Sequence, residues 1–184
     1  EEGMSLRNEG ITKPILILGY TPVDTVKILA EKEITQALVG MDYCRALQAE
    51  AEKAGVTVEG HIKLDTGMTR VGFQTDETNF EQSLQDIIAV SKMPNIKITG
   101  IFTHHAVADA YLDDNPEFTE MQFSRFTKMT EALKNAGVDI GLRHCANSAT
   151  TISYPEKHMD MCRSGVITYG MLPSGECEGR IELK

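Results

Sequence analysis

The sequence predicts an α/β protein, most of a (β/α)8 barrel lacking its first strands. Three observations lead there. Short apolar runs alternate with amphipathic stretches along the chain, and repeated βα order implies a parallel sheet with right-handed crossovers. Each cluster of chemistry-bearing polar residues follows one of those runs, and the loops after barrel strands open together on the face that carries active sites. The 184 residues hold about six or seven strand-like runs, whereas a complete eight-fold barrel needs at least about 200 residues.

Residues 15–18 form an apolar run after Pro14, ended by Gly19. Residues 23–33 have helical spacing, with Val26, Leu29 and Ala30 on one side and Pro22 near the start. A second short strand is expected at 37–39, and a helix at 42–54 stopped by Gly55. The strand at 58–64 is followed by a helix at 79–92, closed by Pro94, and a strand at 98–103. A long helix is expected over 115–136, ended by Gly137. A strand at 142–145 and a short helix at 146–153 come next, and two last strand-like pieces lie at 159–162 and 166–169.

Residues 61–73, HIKLDTGMTRVGF, are the most informative stretch. His61, Lys63 and Asp65 alternate with Ile62 and Leu64, so three polar groups share one strand face. That face looks at water or at a polar site inside the protein. Arg70 follows just past the strand's C-terminal end, where a barrel keeps its ligand groups. A surface hairpin with a solvated charge run is the competing reading of this segment alone.

Composition bounds the function. The chain is 41% hydrophobic and 24% charged, with no Trp, enough for one sizeable core. A net charge of −9 argues against a nucleic-acid binder. The apolar runs are too short to span a bilayer, no signal peptide is visible, and Glu1 stands where an initiator Met is absent, so the chain reads as a fragment or a processed product. Cys44, Cys145, Cys162 and Cys177 form no CxxC pair and fit free or buried thiols of a reducing compartment. The carboxylates and imidazoles lack metal-ligand spacing. Arg45, Gln48, Glu52 and Lys53 read as a solvated helix face.

Three more clusters follow strands: Thr103-His104-His105-Ala106, His144-Cys145-Ala146-Asn147-Ser148 and Arg163-Ser164-Gly165-Val166. Asn147 and Ser148 sit where a strand turns into a helix. Ser there caps the helix or binds a phosphate at its free N–H groups. Gly165 permits close backbone approach, and barrels frequently bind phosphate after their last two strands. His104 serves as a base, a ligand or a packing residue, the last being the commonest fate of a lone His. His105 should point the other way, and His61 and His158 have no strong claim.

Together these motifs resemble the alanine racemase family, the fold-type III pyridoxal-phosphate enzymes. The resemblance rests on Glu2-Gly3, Leu6-Arg7 and Gly10-Ile11, on residues 14–22 and 61–73, and on Gly100-Ile101-Phe102-Thr103-His104 with Ala108-Asp109. Residues 144–149, Arg163-Ser164-Gly165-Val166, Tyr169-Gly170 and Pro173-Ser174 complete it. It runs nearly end to end and implies that residues 1–184 are a partial N-terminal barrel domain. It implies pyridoxal 5′-phosphate as cofactor and a small amino acid as substrate, L-alanine to D-alanine for peptidoglycan. A cytoplasmic bacterial homodimer is implied for the full-length protein. Arg70 would contact the substrate carboxylate and the cofactor's phenolic oxygen. Lys63 would be carbamylated and hold Arg70. His104 would pack on the pyridine ring, and Ser148, Gly165 and Val166 would bind the phosphate. Arg163 would face the pyridine nitrogen, supported by His144, with Asn147 ordering the loop.

The chain departs from the family pattern in three ways. The Schiff-base lysine motif of the first strand is absent. The second-base tyrosine belongs to a C-terminal β domain that should begin about where the sequence stops, at Leu183-Lys184. His105 stands where the family usually has an aromatic or apolar residue. The resemblance therefore implies an active parent and an inactive fragment. The rival readings are a serine or alanine/serine racemase of the membrane-anchored vancomycin-resistance type, a fold-type III decarboxylase, and a catalytically dead cofactor-binding fragment. The decarboxylases place an acid at the pyridine nitrogen, so Arg163 speaks against that reading.

Overall fold

The computed structural model describes residues 1–179; the expected domain boundary at Leu183-Lys184 lies outside them. The sheet is a curled parallel arc of β1 (Ile15–Ile17), β2 (Ile34–Leu38), β3 (Val58–Asp65), β5 (Ile96–Phe102) and β6 (Leu142–His144), in the order β1-β2-β3-β5-β6. A two-residue strand, β4 (Phe73–Gln74), pairs with the end of β3. Helices α1 (Glu2–Asn8), α2 (Val26–Glu31), α3 (Met41–Ala54), α4 (Phe80–Val90), α5 (Asn115–Asn135) and α6 (Ser148–Ser153) complete the set. This is part of a (β/α) barrel, as the repeated βα pattern implies.

Helical spacing explains the outer layer. On α3, Cys44, Leu47 and Ala51 are buried on one stripe. Gly55 ends the helix at φ 67, with Val56 N–H returning to Ala51 O, a left-handed turn that favours glycine. On α4 the stripe is Ser83, Ile87 and Val90. These helices pack on the outward residues of the strands, Ile62 and Leu64 among them. The other face of β3 carries His61, Lys63 and Asp65, all buried. They lie inside the arc, which removes the surface-hairpin reading. Along α5 the buried stripe begins polar, with Thr119 and Gln122, and becomes apolar at Phe126, Met129 and Leu133.

Four expectations change. Residues 159–162 and 166–169 are not strands. Met159 takes φ 52, which breaks an extended run, and the segment reaches β6 through separate bonds, Asp160 N–H to Arg143 O and Arg163 N–H to Ala146 O. Val166–Tyr169 closes into a 3₁₀ turn ended by left-handed Gly170. Among the described residues no strand pairs with its β-branched residues, so tertiary context overrides propensity. The helix expected from residue 146 starts at Ser148, because Asn147 Oδ1 accepts Thr150 N–H as the cap. The expected helix over 23–33 opens as a 3₁₀ turn, Val23–Thr25, before α2. Gln48 leaves the solvated face: its amide exchanges two hydrogen bonds with Asn95. The four cysteines are free, three of them buried. Among the described residues no helix is long and apolar enough to cross a membrane.

Candidate functional site

The loops after β3, β5 and β6, with the 163–166 segment, converge at the C-terminal end of the strands. A cavity of about 550 Å³ opens there, lined by His104, His105, Asn147, Ser148, Arg163, Gly165, Val166 and Asp109, with Leu18 and Pro173 at its margin. A slightly smaller hollow of about 380 Å³ around Arg7 lies away from every one of these loops. Arg7 there is spent on four backbone carbonyls, so it is a structural clamp.

Arg163 is the electrostatic centre. Its Nη1 donates to His144 Nδ1 at 2.7 Å, and Nη2 donates to Thr103 O at 2.7 Å and Cys145 O at 3.2 Å. Its Cζ lies 5.4 Å from the centre of the Phe102 ring. Nε, in contrast, donates to no atom among the described residues. Burial lowers the guanidinium to about 10, and it stays cationic at neutral pH.

The bond from Arg163 sets a direction. A guanidinium has no acceptor, so His144 Nδ1 carries a lone pair and its Nε2 carries the proton. That proton is donated to His61 Nδ1 at 2.9 Å. Burial pushes both imidazoles below the usual histidine value, His61 to about 4, and Arg163 lowers His144 further. Arg163, His144 and His61 thus form one line of donors with neutral rings. His144 stacks on Phe102, ring centres 4.8 Å apart. The His61 ring lies over Gly100, where a Cβ would meet it at 2.5 Å.

The candidate anion cradle lies beside this line. Gly165 N–H donates to Ser148 Oγ at 2.9 Å, leaving the Ser148 proton to donate. A Cβ on Gly165 would come within 3.2 Å of that oxygen. Val166 begins the 3₁₀ turn behind it. Asn147 caps α6 and donates to His105 O at 3.1 Å and, at 3.4 Å, to His104 Nε2. His104 is neutral; burial and then the charge of Arg163 lower it to about 4. His105 points under the loop, its Nδ1–H donating to Thr150 Oγ1 at 2.8 Å, while its buried Nε2 has no partner among the described residues.

Lys63 is 3% exposed. Burial lowers its amine to about 8, against the opposing pull of Asp65 and with the help of Arg163 and Arg70. Its Nζ donates to Leu64 O at 2.8 Å and lies 5.5 Å from the Phe102 ring centre. Asp65 Oδ1 collects Gly67 N–H and Thr69 N–H and shapes the turn before Arg70, in which Thr69 takes φ 54. Arg70 itself is exposed and, among the described residues, makes no hydrogen bond or ion pair.

Of the site residues expected from the sequence, His104, Asn147, Ser148, Arg163, Gly165 and Val166 line the cavity; Lys63 and His144 are buried and Arg70 is exposed, and none of these three is in its lining. Sequence reasoning gave His61 no strong claim, although the polar alternation with Lys63 and Asp65 had already placed it on the right face. It gave no role to Thr66 and Thr103, although both lie in the motifs quoted above, and it missed Gln122, a buried polar group that no local pattern marks.

A family description, alanine racemase, N-terminal domain, matches residues 1–173. The alanine racemase of Desulfovibrio desulfuricans is 42% identical over the whole chain, and that of Clostridium novyi 41%. The alanine racemase of Clostridium difficile 630 in complex with cycloserine superposes with a TM-score of 0.89 at 37% identity, covering 100% of this chain and 49% of that one. The alanine racemase of Bacillus anthracis with bound L-Ala-P gives 0.82 at 28%. The chain spans about half the length of these relatives, 47% and 46% of the two curated ones. On its sequence, its barrel topology and this likeness, the chain belongs to the alanine racemase N-terminal domain family.

Proposed function

We propose that the protein to which this chain belongs interconverts L-alanine and D-alanine with pyridoxal 5′-phosphate in the cavity described above. It thereby supplies D-alanine for peptidoglycan, as a cytoplasmic homodimer. The observation that carries the reading is Arg163: a half-buried guanidinium held by three bonds, its Nε without a partner among the described residues, in the lining of a cavity that also holds Gly165 and Ser148.

The residues present fit the cofactor. Ser148, Gly165 and Val166 suit its phosphate, since a side chain on Gly165 would crowd Ser148 Oγ. Neutral His104 offers a flat face for the ring. Arg163 suits the ring nitrogen. When bound, pyridoxal phosphate supplies the electron sink that makes the α-proton of an amino acid removable.

The chain's own residues then control selectivity. Arg163 is a donor with a value of about 10, so it pairs with a nitrogen lone pair and cannot hand that nitrogen a proton cheaply. Arg163 would thereby keep the ring nitrogen unprotonated, which would favour return of the α-proton over side transamination. His144 and His61 hold Arg163 in orientation. Arg70, set by the Asp65 turn, binds the substrate carboxylate, and Lys63 braces it as a carbamate. An amine at about 8 has a sizeable unprotonated fraction near pH 8, the form that adds CO₂.

The test uses the full-length protein with pyridoxal phosphate, L-alanine and L-serine in parallel, and chiral chromatography of the products. D-alanine should form faster than D-serine. A protein that retains no cofactor and produces neither enantiomer overturns the reading; preferred D-serine formation corrects its substrate.

A further inference from the structure

We infer that Gln122 is a positioning residue that locks the loop after β3 and the loop after β5 into one unit beneath the cavity. The proposal rests on the functional reading above. Gln122 sits on α5, one helix layer outside the strands, yet it is 0% exposed. Its amide reaches three points on two loops. Nε2 donates to Thr66 Oγ1 and to His104 O, each at 3.2 Å, and Oε1 accepts Ala106 N–H at 2.8 Å.

The amide can stand only one way round. Ala106 N–H is purely a donor and His104 O purely an acceptor, so the oxygen must face Ala106 and the nitrogen His104. The direction then propagates. Thr103 Oγ1 donates to Leu64 O at 3.0 Å, so it must accept from Thr66 Oγ1 at 2.8 Å. Thr66 in turn accepts from Gln122. A single file of donors therefore runs from Gln122 through Thr66 and Thr103 to the end of β3. Thr66 and Thr103 are as buried as Gln122, at 0% and 1% exposure. No link can be reversed without stranding another polar group away from water.

The tie has a functional address at each end. His104, whose ring lines the cavity, is held through its own carbonyl. Thr66 begins the turn that leads to Arg70, and Thr103 O accepts from Arg163 Nη2. Apolar packing explains neither the residue type nor the geometry. Two turns on, the same helix stripe carries Met129 and Leu133, and a Gln is needed only where the stripe meets the two loops.

The experiment compares Gln122→Glu and Gln122→Met with Phe126→Leu in the full-length protein. Glu keeps the bond from Ala106 N–H but has no proton for His104 O or Thr66. Met keeps length and makes no bond. Phe126 is buried on the next turn and touches neither loop by hydrogen bond, so its variant reports a purely structural loss. Both Gln122 variants should bind pyridoxal phosphate about tenfold more weakly, equivalent to about 1.4 kcal/mol, and should weaken the visible circular dichroism of the bound cofactor. Phe126→Leu should lower the melting temperature without either effect. Amide exchange at Ala106, measured on cofactor-free protein, should accelerate at least tenfold in Gln122→Met. Unchanged Ala106 exchange overturns the proposal, and so does a Phe126→Leu variant that moves cofactor affinity by the same factor. If the wild-type protein binds no pyridoxal phosphate, the functional reading falls, and Ala106 exchange still decides whether Gln122 holds the loop.

Discussion

Gly100→Ala should damage the site through His61 alone. Gly100 has no left-handed backbone angle, so alanine fits its conformation and the conflict is purely steric. A Cβ there would lie 2.5 Å from His61 Cε1 and 2.6 Å from both ring nitrogens, where ordinary contact begins at 3.4 Å. The ring must retreat by about 1 Å, while buried His144 packs against it and in turn stacks on buried Phe102. Overpacking of this kind costs about 1–3 kcal/mol. Losing the His144-to-His61 bond adds about 1 kcal/mol, for a total of about 2–4 kcal/mol. The assay is a double-mutant cycle with His61→Ala, read by urea denaturation of the full-length protein at unchanged m. With the ring gone, Gly100→Ala should cost less than about 0.5 kcal/mol, a coupling of about 1.5–4 kcal/mol. Additive costs would show that the clash lies elsewhere than at His61.

Arg163→Glu should slow racemisation and raise transamination, seen as pyruvate accumulating from alanine; unchanged partitioning between the two products would count against the assigned role. Lys63 should carry a carbamate in bicarbonate-replete samples, and a bare ammonium in high-resolution density would contradict that. Acid should unfold the site early. His61, His104 and His105 are held near 4 by burial, below the unfolded value of about 6.5. The unfolded chain therefore binds more protons between those values, so stability is present above about pH 6.5 and falls as pH drops towards 4, by up to about 1.4 kcal/mol per group per pH unit. His105→Phe should flatten that slope in thermal melts between pH 4 and 7, and an unaltered slope would show that His105 titrates normally.

The order of elements was legible without any structure, because 3.6-residue and 2-residue apolar periods survive in each segment independently. The stripe Cys44, Leu47, Ala51 and the alternation around His61, Lys63 and Asp65 are local facts, and the loop clusters inherit their common face from βα chirality. The sequence also carried the family resemblance, through motifs spread over most of the chain. Residues 166–169 read as strand because their side chains favour it, but only the absence of a pairing partner and the left-handed Gly170 decide the turn. Burial of the polar face of β3 depended on neighbours brought from β5 and β6. The proton directions through Arg163, His144 and His61, and through Gln122, Thr66 and Thr103, depended on contacts between residues as many as 83 positions apart. Hydrogen-bond direction is a property of a closed set of donors and acceptors, so it exists only once the fold has assembled the set.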